Sequence, residues 1–419
     1  MRFIYNVLIY LAAPVALLMH LWRGLRDPSY RERLGERFGF GPVLPGETIW
    51  IHAVSVGEVQ AAESLVKELL VRHPRHLLLL TTVTPTGAAR ARQLFGNSVL
   101  LRYVPFDLPG SVRRFFDRAR PRLAMILETE LWPNLYAECG RREVPLVLAS
   151  ARISPRSVKR YRRLVPLFRQ TLSHGIVIAA QSETDAMRFR SIGASPARTH
   201  VTGNIKFDFQ APAGIEERGA RWREANAPGR PIWVAGSTHE GEEEMILDAH
   251  RVVLRQFPEA LLLLVPRHPQ RFEVARELLT RRGEAFTNRS SGTPIPHATS
   301  VMLGDTMGEL MMFYVAADVA FVAGSLVPIG GHNLLEPASL GRPVLTGPHN
   351  FNSEAVACLL LDAGAARVVA DTRQLGEAVS DLLGNTELRN SMGAAGRGVL
   401  DENRGALDRL MKLVDPLLS

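Results

Sequence analysis

Short apolar runs alternate with amphipathic, helix-like stretches along nearly the whole chain. The runs are almost continuously apolar, which is typical of parallel strands covered by helices on both faces. They form two groups, separated by the stretch NIKFDFQAPAGIEERG. The first comprises residues 49–53, 76–82, 99–104, 123–127, 145–149 and 176–180, and the second residues 232–235, 261–265, 301–304, 319–323, 343–346 and 367–370. This pattern predicts an α/β fold with two consecutive doubly wound parallel-sheet domains.

The turns that follow the strands are where ligands bind in such folds, beyond the carboxyl ends of the strands. Neither half of the chain contains G-x-G-x-x-G or G-x-x-x-x-G-K-[ST]. The sequence therefore disfavours a dinucleotide-dependent oxidoreductase and a P-loop ATPase.

Glu58 lies at the start of the helix that follows the first strand, in the stretch HAVSVGEV. One interpretation is a glutamate that stabilises the positive end of the helix dipole, as acids in a first turn commonly do. The other is a general base, which requires a carboxylate held on rigid structure. Under the second interpretation, we expect Gly57 to let the backbone turn sharply and to leave room for a substrate.

The stretch ILETELWPN places Glu128 and Glu130 two residues apart after another strand. Such a pair fits a functional carboxylate cluster as well as a solvated loop beside a core tryptophan. Lys206, in GNIKFD at the junction of the two halves, is a further candidate, although a lone lysine in a linker usually faces solvent.

The second half supplies groups that suit an anion after several strands. In WVAGSTHEGEE, Gly236 and Ser237 offer N–H groups to an anion, or Ser237 simply caps the next helix. Arg267 follows Pro266 at a strand end, where a cation suits a phosphate. We expect a glycine pair to permit close backbone approach to a ligand, and a glutamate to accept ribose hydroxyls. These candidates lie in GDTMGEL and GGHNLLEPA, and they are Met307, Gly308, Glu309, Gly330, Gly331, Asn333, Leu334, Leu335 and Glu336.

A long apolar segment opens the chain. Residues 3–22 are long enough to span a bilayer or to lie in it, and no small-residue cleavage site follows them. Only Arg2 precedes the segment whereas several arginines follow it, so the positive-inside rule predicts a cytoplasmic body. The alternative is a buried N-terminal helix of the first domain.

The formal net charge of +8 indicates an anionic partner, which charge alone leaves open among nucleic acid, a membrane surface and a phosphorylated substrate. The amphipathic segment RISPRSVKRYRRLVPLFRQTL is strongly basic. Beside an N-terminal anchor it favours contact with an anionic membrane or an acidic lipid headgroup over a merely solvated basic face. The cationic residues predicted to make this contact are Arg156, Lys159, Arg160 and Arg163.

Metal-dependent chemistry has no signature in the sequence. The two cysteines, Cys139 and Cys358, lie far apart, and the chain has no D-x-D pair and no histidine–carboxylate cluster at ligand spacing. We therefore expect a reaction that uses neither a metal nor a cofactor.

In combination, the motifs resemble those of the 3-deoxy-D-manno-octulosonic acid (Kdo) transferases of Gram-negative bacteria. The resemblance covers nearly the whole chain: the apolar N-terminus is followed in order by RERLGERFG, HAVSVGEV, ETELWPN, GNIKFD, PRHPQRF, GDTMGEL and GGHNLLEPA. It implies a B-type glycosyltransferase fold, with two Rossmann-like domains facing a cleft. It also implies CMP-Kdo as the donor, and lipid IVA, the tetra-acylated lipid A precursor, as the acceptor.

The resemblance further implies an organisation and a location. Residues 1–22 match a membrane anchor, residues 23–208 an acceptor-binding domain, and residues 209–419 a CMP-sugar-binding domain whose C-terminal helix is able to pack back on the first domain. The implied location is the inner membrane, with a single N-terminal anchor and the catalytic body on the cytoplasmic side. Inner-membrane lipid is an expected partner, and nucleic acid is not.

Residue roles also follow from the resemblance. Glu58 matches the catalytic base of the family, and Glu130 and Lys206 match residues that stabilise the transition state. The segments that match those holding CMP are Pro266 and Arg267, Met307 to Glu309, and Asn333 to Glu336.

Two alternatives remain. A sugar-nucleotide epimerase of the same fold would need no membrane anchor. A membrane-tethered, non-catalytic protein that binds anionic lipid would not need Glu58, Arg267 and Glu336 after separate strands.

Overall fold

The computed structural model describes residues 2–162 and 175–418. The chain divides into two compact units, of which the first comprises Met1–Asp208 together with Asn403–Ser419 and the second comprises Phe209–Glu402. Each unit contains one seven-stranded sheet in which the paired strands run parallel. The predicted α/β class with two doubly wound sheets is therefore confirmed.

The first unit begins with a long helix and continues with alternating strands and helices. Its strands are β1 (Thr48–His52), β2 (Leu77–Thr82), β3 (Leu100–Tyr103), β4 (Pro121–Leu127), β5 (Leu146–Ala151), β6 (Val177–Ala180) and β7 (Thr199–Val201). Its first helices are α1 (Arg2–Arg26), α2 (Val56–Ala61), α3 (Glu63–Arg72), α4 (Pro85–Phe95), α5 (Pro109–Ala119), α6 (Pro133–Arg141), α7 (Pro155–Arg162) and α8 (Glu183–Ser191). The sheet order is β3-β2-β1-β4-β5-β6-β7.

The second unit repeats the alternation. Its strands are β8 (Ile232–Thr238), β9 (Leu261–Pro266), β10 (Phe286–Asn288), β11 (Val301–Leu303), β12 (Val319–Val322), β13 (Val344–Thr346) and β14 (Ala366–Val368). Its helices are α9 (Ile215–Asn226), α10 (Glu242–Gln256), α11 (Gln270–Arg281), α12 (Leu310–Ala316), α13 (Leu335–Ser339), α14 (Glu354–Asp362), α15 (Thr372–Gly384) and α16 (Thr386–Asn403). The sheet order is β10-β11-β9-β8-β12-β13-β14.

Two strands, β7 and β10, are absent from the sequence prediction. Each has only three residues and lies at one end of its sheet. An edge strand is covered less than a central one, and these two carry polar and partly exposed residues. No continuous apolar run therefore marks them.

The core of the first unit lies on both faces of its sheet. Successive residues of β1 point to opposite faces, so Trp50 joins one buried cluster while Ile49 and Ile51 join the other. Because both faces are covered, every residue of β1 is buried, and the strand ends are the places left for chemistry.

The C-terminal segment completes the first unit. Helix α17 (Ala406–Val414) places Leu410 and Met411 in the same buried cluster as Ile49 and Ile51. The Asp208 carboxylate accepts hydrogen bonds from the N–H groups of residues 405 and 407, at 2.6 Å each. This carboxylate fixes the start of α17 to the end of the first unit's main segment.

Helix α1 contains the predicted apolar segment. Among the described residues, Arg2–Leu25 is one helix long and apolar enough, by length and composition, to cross a membrane, with a mean hydropathy of 1.8. Its large apolar side chains are exposed, including Phe3 at 79% and Leu11 at 70%. The alternative of a helix buried in the first domain is therefore wrong for these side chains.

A polar contact holds α1 to the rest of the unit. The Tyr5 hydroxyl donates to Asp107 Oδ2 at 2.8 Å, and Asn134 Nδ2 donates to Asn6 Oδ1 at 2.8 Å. Asp107 also accepts from the backbone N–H groups of Asn134 and Leu135, at 3.0 and 2.8 Å. The buried Asp107 carboxylate thus caps the start of α6 and binds α1 at the same time.

We expect Tyr5→Phe to lower the free energy of unfolding by about 1 kcal/mol, because it removes one hydrogen bond to a buried carboxylate. The control is Tyr10→Phe on the same helix, whose side chain is exposed and which should change stability little. Denaturant unfolding in detergent measures both. Equal stabilities of the two variants would contradict the contact.

Candidate active site

Glu58 is held by its own turn. The Ser55 side chain caps α2, and its Oγ accepts from the Glu58 N–H at 3.4 Å. The Glu58 carboxylate reaches back, with Oε2 accepting from the Val54 N–H at 2.8 Å and Oε1 from the Ser55 hydroxyl at 3.3 Å. This arrangement resembles a capping box. Glu58 therefore stabilises the start of α2, as the first of the two interpretations of this residue expects.

Glu58 is also electrostatically unusual. Burial raises the pKa of its carboxyl group to about 7, and the charges of Glu128 and Glu130 raise it further, against the lowering effect of the Val54 and Ser55 hydrogen bonds. A carboxylate that titrates near neutral pH is suited to accept a proton from a hydroxyl group. The same side chain therefore caps the helix and meets the physical requirement for a base.

Gly57 does not provide the sharp turn that was predicted for it. Its backbone lies in α2 and is absent from the residues with positive φ in the described part of the chain. A Cβ added there would meet only the Ser55 hydroxyl oxygen, at 3.9 Å. The turn does not require glycine, and the space beside Gly57 is open.

Lys206 pairs with Glu128. Its Nζ lies 2.9 Å from Glu128 Oε1, and Glu128 has a positive φ of 55°, which is unusual for a residue with a side chain. Lys206 is positioned in turn by Asn204, whose Oδ1 accepts from the Lys206 N–H at 3.0 Å. The motif ETELWPN contains two glutamates, and the structure brings the first of them to the lysine.

Glu130 remains close to this group without contacting Lys206 directly. Burial raises the pKa of Glu130, and the charge of Glu128 adds to the effect. The backbone carbonyl of Glu130 accepts from the Tyr136 hydroxyl at 2.6 Å. The first unit thus gathers Glu58, Glu128 and Glu130 at the carboxyl edge of its sheet, with Lys206 as a cation.

Gly236 and Ser237 lie within a strand rather than after it. Strand β8 extends to Thr238 and carries an irregularity between Gly236 and Thr238, where Ser237 has a φ of 62°. A Cβ at position 236 would lie 2.4 Å from the Tyr314 hydroxyl. Packing against the chain itself therefore requires this glycine. Helix α10 begins four residues after Thr238, and its first turn carries three glutamates.

Arg267 follows β9, as predicted, and Pro266 is the last residue of that strand. The Arg267 N–H donates to the carbonyl of Thr238 at 3.0 Å, which ties together the ends of two neighbouring strands. Its guanidinium forms no ion pair with any carboxylate of residues 2–162 and 175–418. An unpaired guanidinium at the carboxyl edge of the sheet suits an anionic ligand.

Residues 307 to 309 form the turn before α12. Met307 is exposed, and Gly308 has a positive φ of 82° with open space around its missing side chain. The Glu309 carboxylate is engaged by Arg289, with 2.9 and 3.1 Å between the paired atoms. A ligand that contacts the Glu309 carboxylate therefore has to compete with Arg289, whereas the Glu309 backbone remains available for a contact.

The glycine pair does not leave an open approach. Gly330 and Gly331 have positive φ values of 110° and 73°, but a Cβ at either position would lie within 2.6 Å of the side chains of Asn350, Phe351 or Asn352. The space that a side chain would take at each position is therefore filled by the chain itself, and a ligand contact through the backbone of these glycines stays a prediction. They are glycines because the backbone conformation and the neighbouring loop of the same chain require it.

Residues 333 to 336 form the start of α13. Asn333 Oδ1 accepts from the Leu335 N–H at 3.1 Å, and Asn333 Nδ2 donates to Glu336 Oε1 at 3.2 Å. Leu334 and Leu335 are buried, so their contribution to a site is through the backbone. The Glu336 carboxylate is partly exposed and held in place by Asn333.

The basic segment is described only in part. Arg156 and Lys159 are exposed on α7, while Val158 on the same helix is buried. Residues 163–174, with Arg163, lie outside the described residues, and the Arg160 side chain is not described either. The described portion presents its charges to solvent.

No metal site was found in the part of the chain that the structure describes, where no three His, Cys, Asp or Glu side chains come together in a group able to hold an ion. The sequence interpretation named Glu128 only as one of two loop carboxylates, without its contact to Lys206, and it gave no role to three histidines, His239, His268 and His332. His239 directly follows a strand, His268 follows a strand after one intervening residue, and His332 directly follows a glycine pair, in STHE, PRHP and GGHN. These positions after strands and glycines were the sequence feature that could have indicated the histidines as candidates.

Two consecutive doubly wound units, each with a seven-stranded parallel sheet, form the B-type glycosyltransferase fold. A crystal structure of a glycosyltransferase from Rickettsia africae covers 90% of this chain and all of its own, with a TM-score of 0.56 at 13% identity. At that identity the likeness shows the fold alone.

Comparison with protein families identifies the group. The family model described as 3-Deoxy-D-manno-octulosonic-acid transferase (kdotransferase) matches residues 32–209. The 3-deoxy-D-manno-octulosonic acid transferase of Haemophilus influenzae is 42% identical over 100% of this chain and 99% of its own length. The enzyme of the same name from Bordetella pertussis is 37% identical over 100% and 99%. The chain belongs to the 3-deoxy-D-manno-octulosonic acid transferase family, and is an enzyme.

The raised pKa of Glu58 predicts a pH-dependent stability difference. Because the folded protein binds this proton more tightly than the unfolded chain, the stability that it contributes is present below about pH 4.5 and is lost as pH rises through about 7. We expect the free energy of unfolding of Glu58→Gln to rise relative to that of wild type as pH increases across this window, by up to about 1.4 kcal/mol per pH unit. Denaturant unfolding at several pH values measures this.

The control for this prediction is Glu63→Gln on the next helix. Glu63 forms an exposed ion pair with Lys67 at 2.7 Å. The free energy of unfolding of this variant should therefore differ from that of wild type by about the same amount at every pH across this window. A constant offset between Glu58→Gln and wild type would show that burial does not shift the Glu58 carboxyl group.

Proposed function

We propose that the protein is an inverting glycosyltransferase that moves Kdo from CMP-Kdo to lipid IVA in lipopolysaccharide biosynthesis. The observation that carries the proposal is Glu58, a partly buried glutamate with a pKa raised to about 7, in the first turn of the helix that follows the first strand of a Kdo transferase family member. Family membership favours sugar transfer over the epimerase and the non-catalytic lipid-binding protein.

Glu58 is the proposed base. It removes the proton from the primary hydroxyl of the acceptor, and that oxygen attacks the anomeric carbon of Kdo while the bond to the CMP phosphate breaks. The hydrogen bonds from Val54 and Ser55 hold the carboxylate in one orientation. Because Glu58 must be ionised to accept the proton, turnover should fall as pH falls through about 7.

Lys206 and Glu130 are the proposed electrostatic partners of the transition state. An ammonium group has three N–H donors, so Lys206 can keep its contact with Glu128 and still compensate the carboxylate of Kdo. Glu130 favours the oxocarbenium character of the sugar as the bond to phosphate breaks. Glu128 positions the lysine, and its strained backbone supports that role.

The proposed donor site uses groups of the second unit. Arg267 neutralises the departing phosphate, helped by backbone N–H groups. A nucleoside monophosphate carries one phosphate and no diphosphate to be clamped by a metal ion, so these groups suffice. The remaining donor-binding candidates are Gly236, Ser237, Pro266, Met307, Gly308, Glu309, Gly330, Gly331, Asn333, Leu334, Leu335 and Glu336.

The proposed location is the inner membrane, with α1 as the anchor and the catalytic body on the cytoplasmic side. The exposed apolar side chains of α1 and the arginines that follow it support this assignment. Arg156 and Lys159 are proposed to contact anionic lipid, since both are exposed on a helix whose buried side faces the protein core.

We expect the purified enzyme to release CMP when it is mixed with CMP-Kdo and lipid IVA, also in excess EDTA. Glu58→Gln should lower kcat by about 10²–10⁴-fold, the usual effect of losing a general base. The control is again Glu63→Gln, which should keep normal turnover. Turnover of Glu58→Gln within a few-fold of wild type would rule out Glu58 as the base, and rescue of an EDTA-inhibited enzyme by magnesium would refute the metal-free reaction.

We expect the double variant Arg156→Glu, Lys159→Glu to bind anionic vesicles more weakly than wild type, because each basic charge near such a surface contributes about 1 kcal/mol. Binding to neutral vesicles should not change, and the difference should shrink at high salt. Vesicle flotation measures this. The matched control is Arg281→Glu, Arg373→Glu at two other exposed positions; an equal loss in that variant would argue against a specific role for α7.

A further inference from the structure

Three histidines meet at the carboxyl edge of the second sheet. His239 follows β8, His268 follows β9, and His332 lies in the connection between β12 and α13. Strands β9, β8 and β12 are neighbours in the sheet. The connections after them therefore leave the sheet side by side, and the imidazoles come together although they are far apart in sequence.

His239 and His332 form a direct hydrogen bond. Their Nε2 atoms are 2.8 Å apart, their ring centroids 5.0 Å, and their planes differ by 7°. Because the two nitrogens are much closer than the centroids and the planes are parallel, the rings meet edge to edge rather than face to face. One Nε2 carries the hydrogen and the other accepts it. Gly324 makes room, since a Cβ there would lie 2.9 Å from the His332 ring.

This geometry allows the pair to take up one more proton. In the neutral pair, the ring that donates through Nε2 has a bare Nδ1. A proton added to that Nδ1 gives the pair a charge of about +1 and leaves the N–H···N bond intact. A second proton would place two N–H groups against each other, so one proton is the capacity of the pair.

The surroundings are electropositive. The His268 ring packs edge-on against His239, with 5.5 Å between centroids. Burial first, and then neighbouring histidines and arginines, lower the pKa of His239 to about 4 and that of His332 to about 3. Burial, Arg267 and Arg271 also lower the pKa of His268. The three rings are therefore neutral near pH 7.

The carboxylates near the histidines are already engaged. Glu243 pairs with Arg271 at 2.9 Å. Glu242 accepts hydrogen bonds from the His239 N–H and from the N–H groups of residues 324–326, at 2.7–3.1 Å. The charged and titratable neighbours that act on the pair are Arg267, His268 and Arg271. The elements around it also carry Glu240, Glu242 and Glu243 around the start of α10 and Glu336 in α13. Among these, Arg267 forms no ion pair with the described residues, so the site has a cation to spare for an anion.

We propose that His239, His268 and His332 form, with Arg267, a proton-linked binding site for the phosphate of the nucleotide, in which the His239–His332 pair takes up one proton when the anion binds. This inference rests on the proposed function for the identity of the nucleotide. A negative charge placed among the rings favours their protonated form. By linkage, a proton on the pair favours the anion to the same degree, so affinity rises as pH falls.

The capacity of one proton matches the charge change of the reaction. The phosphodiester of a CMP-sugar carries one negative charge, and breaking the bond from the sugar carbon to the phosphate oxygen leaves CMP with one more. An imidazole pair that holds one proton offsets this added charge. Loss of that proton to solvent then weakens the hold on CMP and favours its release.

Calorimetric titration of the full chain with CMP tests the inference. Near pH 7.5 free CMP is mostly the dianion, because the second pKa of a phosphate ester is about 6. Titrations in two buffers of different ionisation enthalpy give the number of protons taken up. We expect clear uptake, up to one proton per CMP, in wild type. We expect its loss in His239→Gln and in His332→Gln, with CMP bound about tenfold more weakly or worse.

The control variant is His297→Gln in the same unit. His297 is 77% exposed and lies 3.7 Å from Glu259, so this variant should bind CMP and take up protons as wild type does. Nitrogen-15 spectra of histidine-labelled wild type with and without CMP show whether the proton enters an imidazole or the phosphate. This measurement needs no variant, so it decides the question even if a substitution prevents folding.

The outcomes separate the inference from the proposed function. CMP binding without proton uptake, or with uptake that persists in both pair variants, would overturn the proton linkage and leave sugar transfer intact. Failure of the wild-type chain to bind CMP would overturn both. Uptake that is lost in the pair variants and kept in His297→Gln would support the site.

Discussion

Withdrawal of ionisable side chains from water, at the carboxyl edges of two parallel sheets, governs the chemistry that each unit offers. In the first unit it acts on a carboxyl group and raises the pKa of Glu58 to about 7. In the second it acts on imidazoles and lowers the pKa of His239 to about 4. Burial disfavours the charged form in both cases. One physical effect thus moves the two kinds of group in opposite directions, which is what the proposed base and the proposed proton-linked histidine pair each require.

The carboxylates of the chain also decide where an anion can bind. The first turn of α10 would ordinarily attract a phosphate, but it carries three glutamates. One of them, Glu242, occupies the backbone N–H groups of residues 324–326. The backbone groups best suited to an anion are therefore already satisfied. A phosphate at this edge would therefore draw largely on side-chain charge, which is the role proposed for Arg267 and, after protonation, for the histidine pair.

The sequence predicted the fold well because buried parallel strands leave continuous apolar runs, and β1 is an example in which every residue is buried. It missed β7 and β10, whose three residues at a sheet edge leave no such run. Site geometry was harder to predict. Glu128 and Glu130 are equivalent by spacing, and only the backbone conformation at Glu128 brings its carboxylate to Lys206. Gly330 and Gly331 suggested a ligand approach, whereas they accommodate a loop of the same chain that follows them by twenty residues.

The return of α17 to the first unit has a consequence for biosynthesis. Leu410 and Met411 cover the same side of the first sheet as Ile49 and Ile51, yet the ribosome makes them only after the entire second unit. Until then the first unit keeps an apolar surface uncovered on this face of its sheet. That surface stays open to a chaperone until the second unit has been synthesised. Completion of the first unit becomes a late step that waits for translation to pass Val414.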